Sequence, residues 1–331
     1  MRICVLGSGT WGTAISSLLG GYGHDVMCYS NSEESAKALN ATHRHKNLPS
    51  ATISDNVIFS SNIAECMNGS EVIVFGVPSS FVRSSAIQIK PYYEGQLVVD
   101  LSKGIEDETF LTTSEMIEEV LGIKDQVVAL TGPSHAEEVS IGLPTCIVAA
   151  SPYSENANEV QHIFHSDSFR VYTNKDRKGC ELCGAFKNII AIACGISTGL
   201  GYGDNAKAAL ITRGVHELRE LGVAMGCNAD TFSGLAGVGD LIVTCVSEHS
   251  RNNRAGRYLG EGYSVEETLE KVGMVVEGIA SLKAAVSLCN IHKIDMPIVY
   301  AVNAIVNEGK DAKEVAAKLL EREKKEEFLS V

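Results

Sequence analysis

Met1-Arg-Ile-Cys-Val-Leu6 runs straight into Gly7-Ser8-Gly9-Thr10-Trp11-Gly12, and Thr13 to Leu19 then continues as apolar residues at helical density. The first run is short, apolar and β-branched, the make-up of a buried strand. Gly23-His24 ends the helix, and Asp25 to Ser30 reads as a second strand. Strand, glycine turn, helix, strand is the order in which G-x-G-x-x-G holds a dinucleotide. Gly7 permits the tight turn, Gly9 lets the backbone approach a pyrophosphate, and Gly12 lets the helix lie close to the sheet. The helix N-terminus adds free N–H groups and the positive end of its dipole. A flexible turn is the plain alternative; the context favours a cofactor.

The end of the second strand bears on which dinucleotide. A site for NAD usually places Asp or Glu about 20 residues beyond the glycines, on the ribose hydroxyl. Here that place reads Tyr29-Ser30-Asn31-Ser32, and Glu33 comes late. A neutral strand end does not repel a 2′-phosphate, which points towards NADP(H) and leaves NAD(H) open. His43-Arg44-His45-Lys46 downstream either helps bind that phosphate or is a solvated loop.

Working outward, strand signals recur at 71–78, 96–103, 126–134 and 145–149. The first three end in polar or glycine turns: Val77-Pro78-Ser79, Ser102-Lys103-Gly104 and Thr131-Gly132-Pro133-Ser134. In an open parallel sheet ligands sit beyond the carboxyl ends of the strands. These turns are expected to rim one crevice with the glycine loop, aiming Lys103 at the ligand zone. A surface lysine is the plain reading.

Beyond residue 175 the alternation vanishes and helices take over. Leu182 to Gly203 is apolar or small throughout and begins as a helix with Lys187 as its only charge. Phe186, Ile189, Ile190 and Ala193 make one stripe, and Cys183, Ala191 and Cys194 are small neighbours of Lys187 at helical spacing. A helix apolar on nearly all sides is buried. A lysine within it must be paired, shifted in pKa or snorkelling to the surface; the first two suit proton transfer. Ser233-Gly-Leu-Ala-Gly-Val-Gly-Asp240 is a glycine-rich turn into a new helix, where Asp240 and Thr244 share a face. Asp240 caps that helix or orients the lysine. Ser250-Arg-Asn-Asn-Arg254 offers two guanidinium forks three residues apart, fit for phosphate or for a solvated turn. Asp311 to Leu329 reads as an amphipathic helix packing through Ala316, Leu319 and Leu320.

Composition excludes other classes. The chain has 331 residues, 45% apolar and 21% charged, with a net charge of −13. Two domains are expected at roughly 100–200 residues each, here 1–180 and 181–331. The acidic balance argues against nucleic acid or an anionic membrane surface as partner. No apolar run reaches the ~18 residues of a spanning helix, and no signal-peptide core is visible, so a cytoplasmic location is expected. The ten cysteines are scattered and read as buried thiols; Cys180-x-x-Cys183 alone is weak evidence for zinc or redox work. No metal is expected, since no His, Cys or Asp cluster has ligand spacing.

Together these segments resemble the bacterial-type NAD(P)-dependent glycerol-3-phosphate dehydrogenases. The matching pieces are Gly7-Ser-Gly-Thr-Trp-Gly-Thr-Ala14, Ser102-Lys-Gly-Ile-Glu106, Gly132-Pro-Ser-His-Ala-Glu-Glu-Val139, Ala185-Phe-Lys-Asn-Ile189, Ala236-Gly-Val-Gly-Asp240, Ser250-Arg-Asn252 and Val275-Val-Glu-Gly278. They run in the family's order over nearly the whole chain. The resemblance implies an α/β Rossmann domain, a mostly parallel doubly wound sheet, joined to an all-α domain of the 6-phosphogluconate-dehydrogenase-like type, with the site between them. It implies reversible reduction of dihydroxyacetone phosphate to sn-glycerol 3-phosphate for glycerophospholipid synthesis, with NADP(H) or NAD(H). At most a second copy of the chain, as a homodimer, joins these small molecules as partner.

Carried over by motif, Lys187 would be the proton-transfer residue, with Asp240 and Lys103 beside it. Gly7, Gly9, Thr10, Trp11, Gly12, Asn31, Lys103, Ala136, Arg251, Val275 and Glu277 would lie against the cofactor. Lys103, Gly132, Ser134, Lys187, Asp240, Ser250, Arg251 and Asn252 would contact substrate. His135 stands where the family usually has an aromatic residue, often Phe, and a packing change is expected from it. Asn31 stands where many members have His or Arg near the adenosine ribose. Two other readings compete: a related Rossmann-plus-helical hydroxy-acid dehydrogenase, and an NADP(H)-sensing regulatory protein without turnover. The cluster Ser250, Arg251 and Asn252 favours a phosphate ester over a bare carboxylate, and a sensor has no need of a desolvated lysine.

Overall fold

The computed structural model describes residues 1–323. Eight strands form one sheet: β1 (Arg2–Leu6), β2 (Asp25–Tyr29), β3 (Val57–Ser60), β4 (Val72–Phe75), β5 (Leu97–Asp100), β6 (Val128–Thr131), β7 (Thr145–Ala150) and β8 (Phe169–Asn174). Their spatial order is β3-β2-β1-β4-β5-β6-β7-β8. Every pairing is parallel except the antiparallel β6–β7. The order reverses between β1 and β4, and that reversal opens the crevice for a ligand. Strands β1 and β4 are almost wholly buried, as strands covered by helices on both faces must be.

The six runs read as strands each contain one. β3 and β8 lack a strong signal because they are edge strands: Ile58, Arg170 and Tyr172 face solvent, so the apolar run is broken.

After β8 the described chain is helical. Its axis is the helix Arg177–Gly199, hereafter the central helix. It starts before residue 181 because Asp176 caps it, accepting from the Gly179 N–H at 3.0 Å, so the expected break after residue 180 falls within its first turn. It is long and apolar enough to cross a membrane by length and composition. Its apolar surface is instead spent on the core, where Leu182, Phe186, Ile189 and Ile192 are fully buried.

The central helix is also bolted to the sheet domain. Arg177 donates to both carboxylate oxygens of Glu118 at 2.6 and 2.9 Å. One turn later Glu181 accepts from the N–H and hydroxyl of Ser114 at 2.8 and 2.7 Å, and from Thr112 at 2.9 Å. A carboxylate there meets the buried N-terminal turn of the helix Thr113–Leu121, where its charge is stabilised. Two anchors four residues apart fix both position and rotation of the helix. Lys187, less than two turns further on, inherits that placement.

On its other side the central helix packs backbone to backbone against the helix Arg251–Gly260. Glycines at 195, 199, 256 and 260 make this contact; a Cβ on Gly256 would lie 2.0 Å from the Ile192 carbonyl oxygen. The helix Ala312–Leu320 packs through Ala312 and Val315, with Ala316 and Leu319 partly covered. Leu320 is 78% exposed and does not belong to its packing face. The remainder of the expected helix, 324–329, lies outside the described residues.

Candidate active site

The glycine turn has the geometry a dinucleotide needs. Gly7 has φ +109°, and a Cβ there would meet the Gly76 carbonyl oxygen at 2.9 Å. A Cβ on Gly12 would lie 1.9 Å from the Gly7 carbonyl oxygen. Strand, turn and helix therefore touch at a point where no side chain fits. Gly9 differs, because a Cβ on it would meet nothing within 4 Å. Its open side lies at the start of the helix Thr10–Gly21, whose first N–H groups have no cap from a side chain. An open backbone face, unpaired donors and a dipole suit a pyrophosphate, so the residues present fit the dinucleotide.

Two features beside the turn carry no local sequence signal. The loop after residue 42 folds back over it: Asn47 Nδ2 donates to Thr10 Oγ1 at 3.1 Å, and His45 is buried against it. Arg44 and Lys46 in the same run are exposed. Trp11 packs with Ala14, Leu48, Ala51 and Ala136, joining the glycine turn to the segment after β6. Asn31 lies exposed past the end of β2, and Ser30 is buried, sharing a 2.8 Å hydrogen bond with Ser8. The residues that follow β2, Ser30 to Ser32, include no carboxylate.

The turns after β4, β5 and β6 are tied together as one rim. Asp100 accepts from the Ser102 N–H at 2.9 Å, and Ser102 Oγ donates to the Val77 carbonyl at 2.9 Å. These bonds set the turn that carries Lys103, whose stem lies over Gly184 of the central helix. Lys103 Nζ donates to the Gly132 carbonyl at 3.3 Å and to Asp240 Oδ2 at 2.8 Å. Gly132 itself has φ +140°, and its carbonyl also accepts from Ser134 Oγ at 2.9 Å.

Asp240 is the hub. Its other oxygen accepts from Lys187 Nζ at 2.6 Å, and the same ammonium donates to Thr244 Oγ1 at 2.7 Å. Asp240 is 1% and Lys187 6% exposed. The glycine-rich stretch before Asp240 is not a simple turn. Leu235–Gly239 makes one wide π-helical turn that leads into the helix Asp240–Val246, and such turns recur at functional sites. The expected shared face of Asp240 and Thr244 is the one that meets Lys187.

The charges tune one another. Burial lowers the Lys187 pKa to about 8, Lys103 pushes in the same direction, and Asp240 resists. Burial would raise Asp240, yet the two lysines hold its carboxyl below the usual range. One carboxylate between two ammonium groups leaves these three side chains a net positive charge of one. That is a field suited to a negative oxygen.

A second cluster continues from the residue after Lys187. Asn188 Nδ2 donates to Glu277 at 3.4 Å, and Asn252 Nδ2 donates to the side-chain oxygen Oδ1 of Asn188 at 3.0 Å while its own Oδ1 accepts from the Gly278 N–H at 2.9 Å. Both ends of the Asn252 amide are thus engaged. Ser250 caps its helix, accepting from the Asn253 N–H at 3.2 Å. Arg251 Nη1 donates to the carbonyl of the exposed Val275 at 3.1 Å. Burial raises the Glu277 carboxyl, against the pull of Arg251, Lys103 and Lys187. Asn188 is the residue that sequence reasoning missed; only its place beside Lys187 points to it.

Comparison with known proteins accords with this geometry. Residues 2–157 match the N-terminal family of NAD-dependent glycerol-3-phosphate dehydrogenase, and residues 176–317 match its C-terminal family. The chain belongs to that family. It is 49% identical to the glycerol-3-phosphate dehydrogenase (NAD(P)+) 2 of Lactobacillus delbrueckii subsp. bulgaricus, covering 99% of both chains. It is 45% identical to the glycerol-3-phosphate dehydrogenase (NAD(P)+) of Agathobacter rectalis, covering 100% of this chain and 98% of that one. The crystal structure of glycerol-3-phosphate dehydrogenase from Coxiella burnetii superposes with a TM-score of 0.92 at 35% identity, covering 97% of this chain and 98% of that chain.

Proposed function

We propose that the cleft reduces dihydroxyacetone phosphate reversibly to sn-glycerol 3-phosphate, with Lys187 as the proton-transfer residue. The observation that carries this is the buried Lys187 ammonium held between Asp240 and Thr244 where the sheet domain meets the helices. The chain is an oxidoreductase that uses NAD(P)H, and a sensor without turnover is not favoured. The bound nicotinamide supplies or takes the hydride at C2.

Reduction leaves negative charge on the C2 oxygen. The Lys187 ammonium donates a proton to it, and Asp240 keeps that ammonium in register while Lys103 adds to the field. In the oxidation direction neutral Lys187 takes the hydroxyl proton, which a pKa of about 8 makes accessible near neutral pH. Arg251, with Ser250 and Asn252 of the same helix start, grips the phosphate, and that remote binding energy orients the carbonyl. Asn252 does so while braced by Asn188 and Gly278. The glycine turn, Thr10, Trp11 and Ala136 hold the dinucleotide, with Glu277, Val275 and Asn31 further along it.

Ten free cysteines, nine of them buried, suit a reducing compartment, and we place the chain in the cytoplasm, supplying glycerophospholipid synthesis. The test is purified protein with NADPH or NADH and dihydroxyacetone phosphate, following cofactor absorbance. Oxidation that requires the substrate phosphate supports the reading; none with either cofactor overturns it. The absence of an acidic residue at the end of β2 favours NADPH, and the ratio of kcat/KM for the two cofactors checks that.

A further inference from the structure

Two imidazoles meet beside the Lys187 cluster, and the reaction as derived uses neither. His135 directly follows Ser134, and His249 directly precedes Ser250. They come from opposite halves of the chain, yet their ring centroids are 6.0 Å apart with planes tilted by 60°. Packing, the expectation from sequence, accounts for that ring contact. It does not account for the His135 Nε2, which is buried and has no hydrogen-bond partner among the described residues. The side chain makes no helix cap either.

An orphaned buried polar atom loses its hydrogen bonds to water without replacement, a penalty that an apolar ring of like size does not carry. Native structures rarely keep such an atom without a use. Its surroundings narrow the use. Burial, the largest influence, and the Lys187 charge hold the imidazole below its ordinary pKa; the Val243 carbonyl, Glu137 and Asp240 act the other way. These groups lie on the central helix, on the helix that begins at Asp240 and on the short helix after His135 itself. The ring therefore sits within the field of the site. Its chain neighbours are Ser134 on one side of the cleft and, through His249, Ser250 and Arg251 on the other.

We propose that His135 is a further substrate-positioning residue whose free ring nitrogen hydrogen-bonds the phosphate of the three-carbon substrate, with His249 holding the ring in place. The assignment rests on the reaction proposed above. A ring nitrogen able to donate, and able to gain a proton, matches a phosphate oxygen. The C2 end of the substrate must lie at Lys187, which leaves the phosphate for the serine- and arginine-bearing loops that the two imidazoles flank. Contact with a dianion favours the imidazolium, so binding and protonation of His135 reinforce each other.

The test compares wild type with His135→Phe, which keeps the ring and its contact with His249 but removes both nitrogens. Loss of a hydrogen bond to a charged group raises KM for dihydroxyacetone phosphate by about tenfold or more, with the cofactor KM unchanged. The Ki of inorganic phosphate as competitor rises by the same factor, and kcat/KM for unphosphorylated dihydroxyacetone stays put. The gap from wild type widens as pH falls from 8 to 6. His135→Gln, which restores an N–H, recovers part of the loss. Equal KM in wild type and His135→Phe, or an equal loss with dihydroxyacetone, overturns the proposal. Wild type alone gives a second reading: inorganic phosphate should shift the NMR resonances of the His135 ring, and unmoved resonances at saturation would also overturn it. Wild type inactive on dihydroxyacetone phosphate removes the reaction and this inference together; active wild type with an indifferent His135→Phe removes this inference alone.

Discussion

The two walls of the cleft are made of different material. The dinucleotide wall is backbone: Gly7 and Gly12 touch so closely that a Cβ on either would fall within 3 Å of a carbonyl oxygen. The other wall, proposed for the substrate, is charge: Lys187 and Asp240 are buried and Lys103 is partly buried beside them. A backbone wall binds whatever fits its shape and changes little during the reaction. A charged wall in a dry pocket is poised to respond when charge moves on the substrate. Binding and chemistry are thereby assigned to separate parts, and mutations should separate them too.

The largest effect expected is on the charged wall. Lys187→Ala should lower kcat on the order of 10³-fold, the range of a lost general acid–base, while leaving the cofactor Kd within a few-fold. Stopped-flow turnover and fluorescence titration of NADPH measure the two. Unchanged turnover would take Lys187 out of the mechanism.

The reverse pattern should come from the backbone wall. Gly12→Ala drives a methyl into the Gly7 carbonyl, so the turn must open, at a cost of about 1–3 kcal/mol or more. Cofactor affinity should fall at least tenfold, and Tm with it, since the same contact packs helix on sheet. A normal cofactor Kd in this variant would break the comparison.

A third region serves as control. Glu217 lies in the wall of a cavity of about 810 Å³ among the C-terminal helices, well away from both clusters, and burial pushes its carboxyl up to about 8. A raised acid is stabilising in its protonated form, so its contribution is present below pH 4.5 and is lost as pH rises through 8. Glu217→Gln keeps an acceptor for the Ile298 N–H, which Glu217 now receives at 3.1 Å. Stability should then decline less between pH 4.5 and 8, with both kinetic constants unmoved. Denaturant melts across that range check it; parallel curves for variant and wild type would contradict it.

The same division explains what the sequence made legible. The glycine turn could be read because each glycine answers a local demand, a positive φ or a close approach. Lys187 could be read because a lone charge in an apolar helix must be explained, and Asp240 and Thr244 because their spacing places them together. Contacts between distant segments left no local mark. Nothing near Asn47 announces that its amide reaches Thr10, and nothing near Glu181 shows that it caps a helix 67 residues earlier. The edge strands β3 and β8 escaped notice because half of each faces water. Leu320 looked like core by composition, yet the helix turns Ala312 and Val315 inward instead.

The account turns on the state of one amine, and the pH dependence of kcat/KM for glycerol 3-phosphate oxidation examines it most directly. In the proposed mechanism neutral Lys187 accepts the proton, so the rate should climb through a single ionisation near pH 8. Asp240→Asn, which removes the charge that holds the ammonium, should move that limb to lower pH. A profile flat from pH 7 to 10, or a limb at the ordinary lysine value that ignores Asp240→Asn, would contradict it.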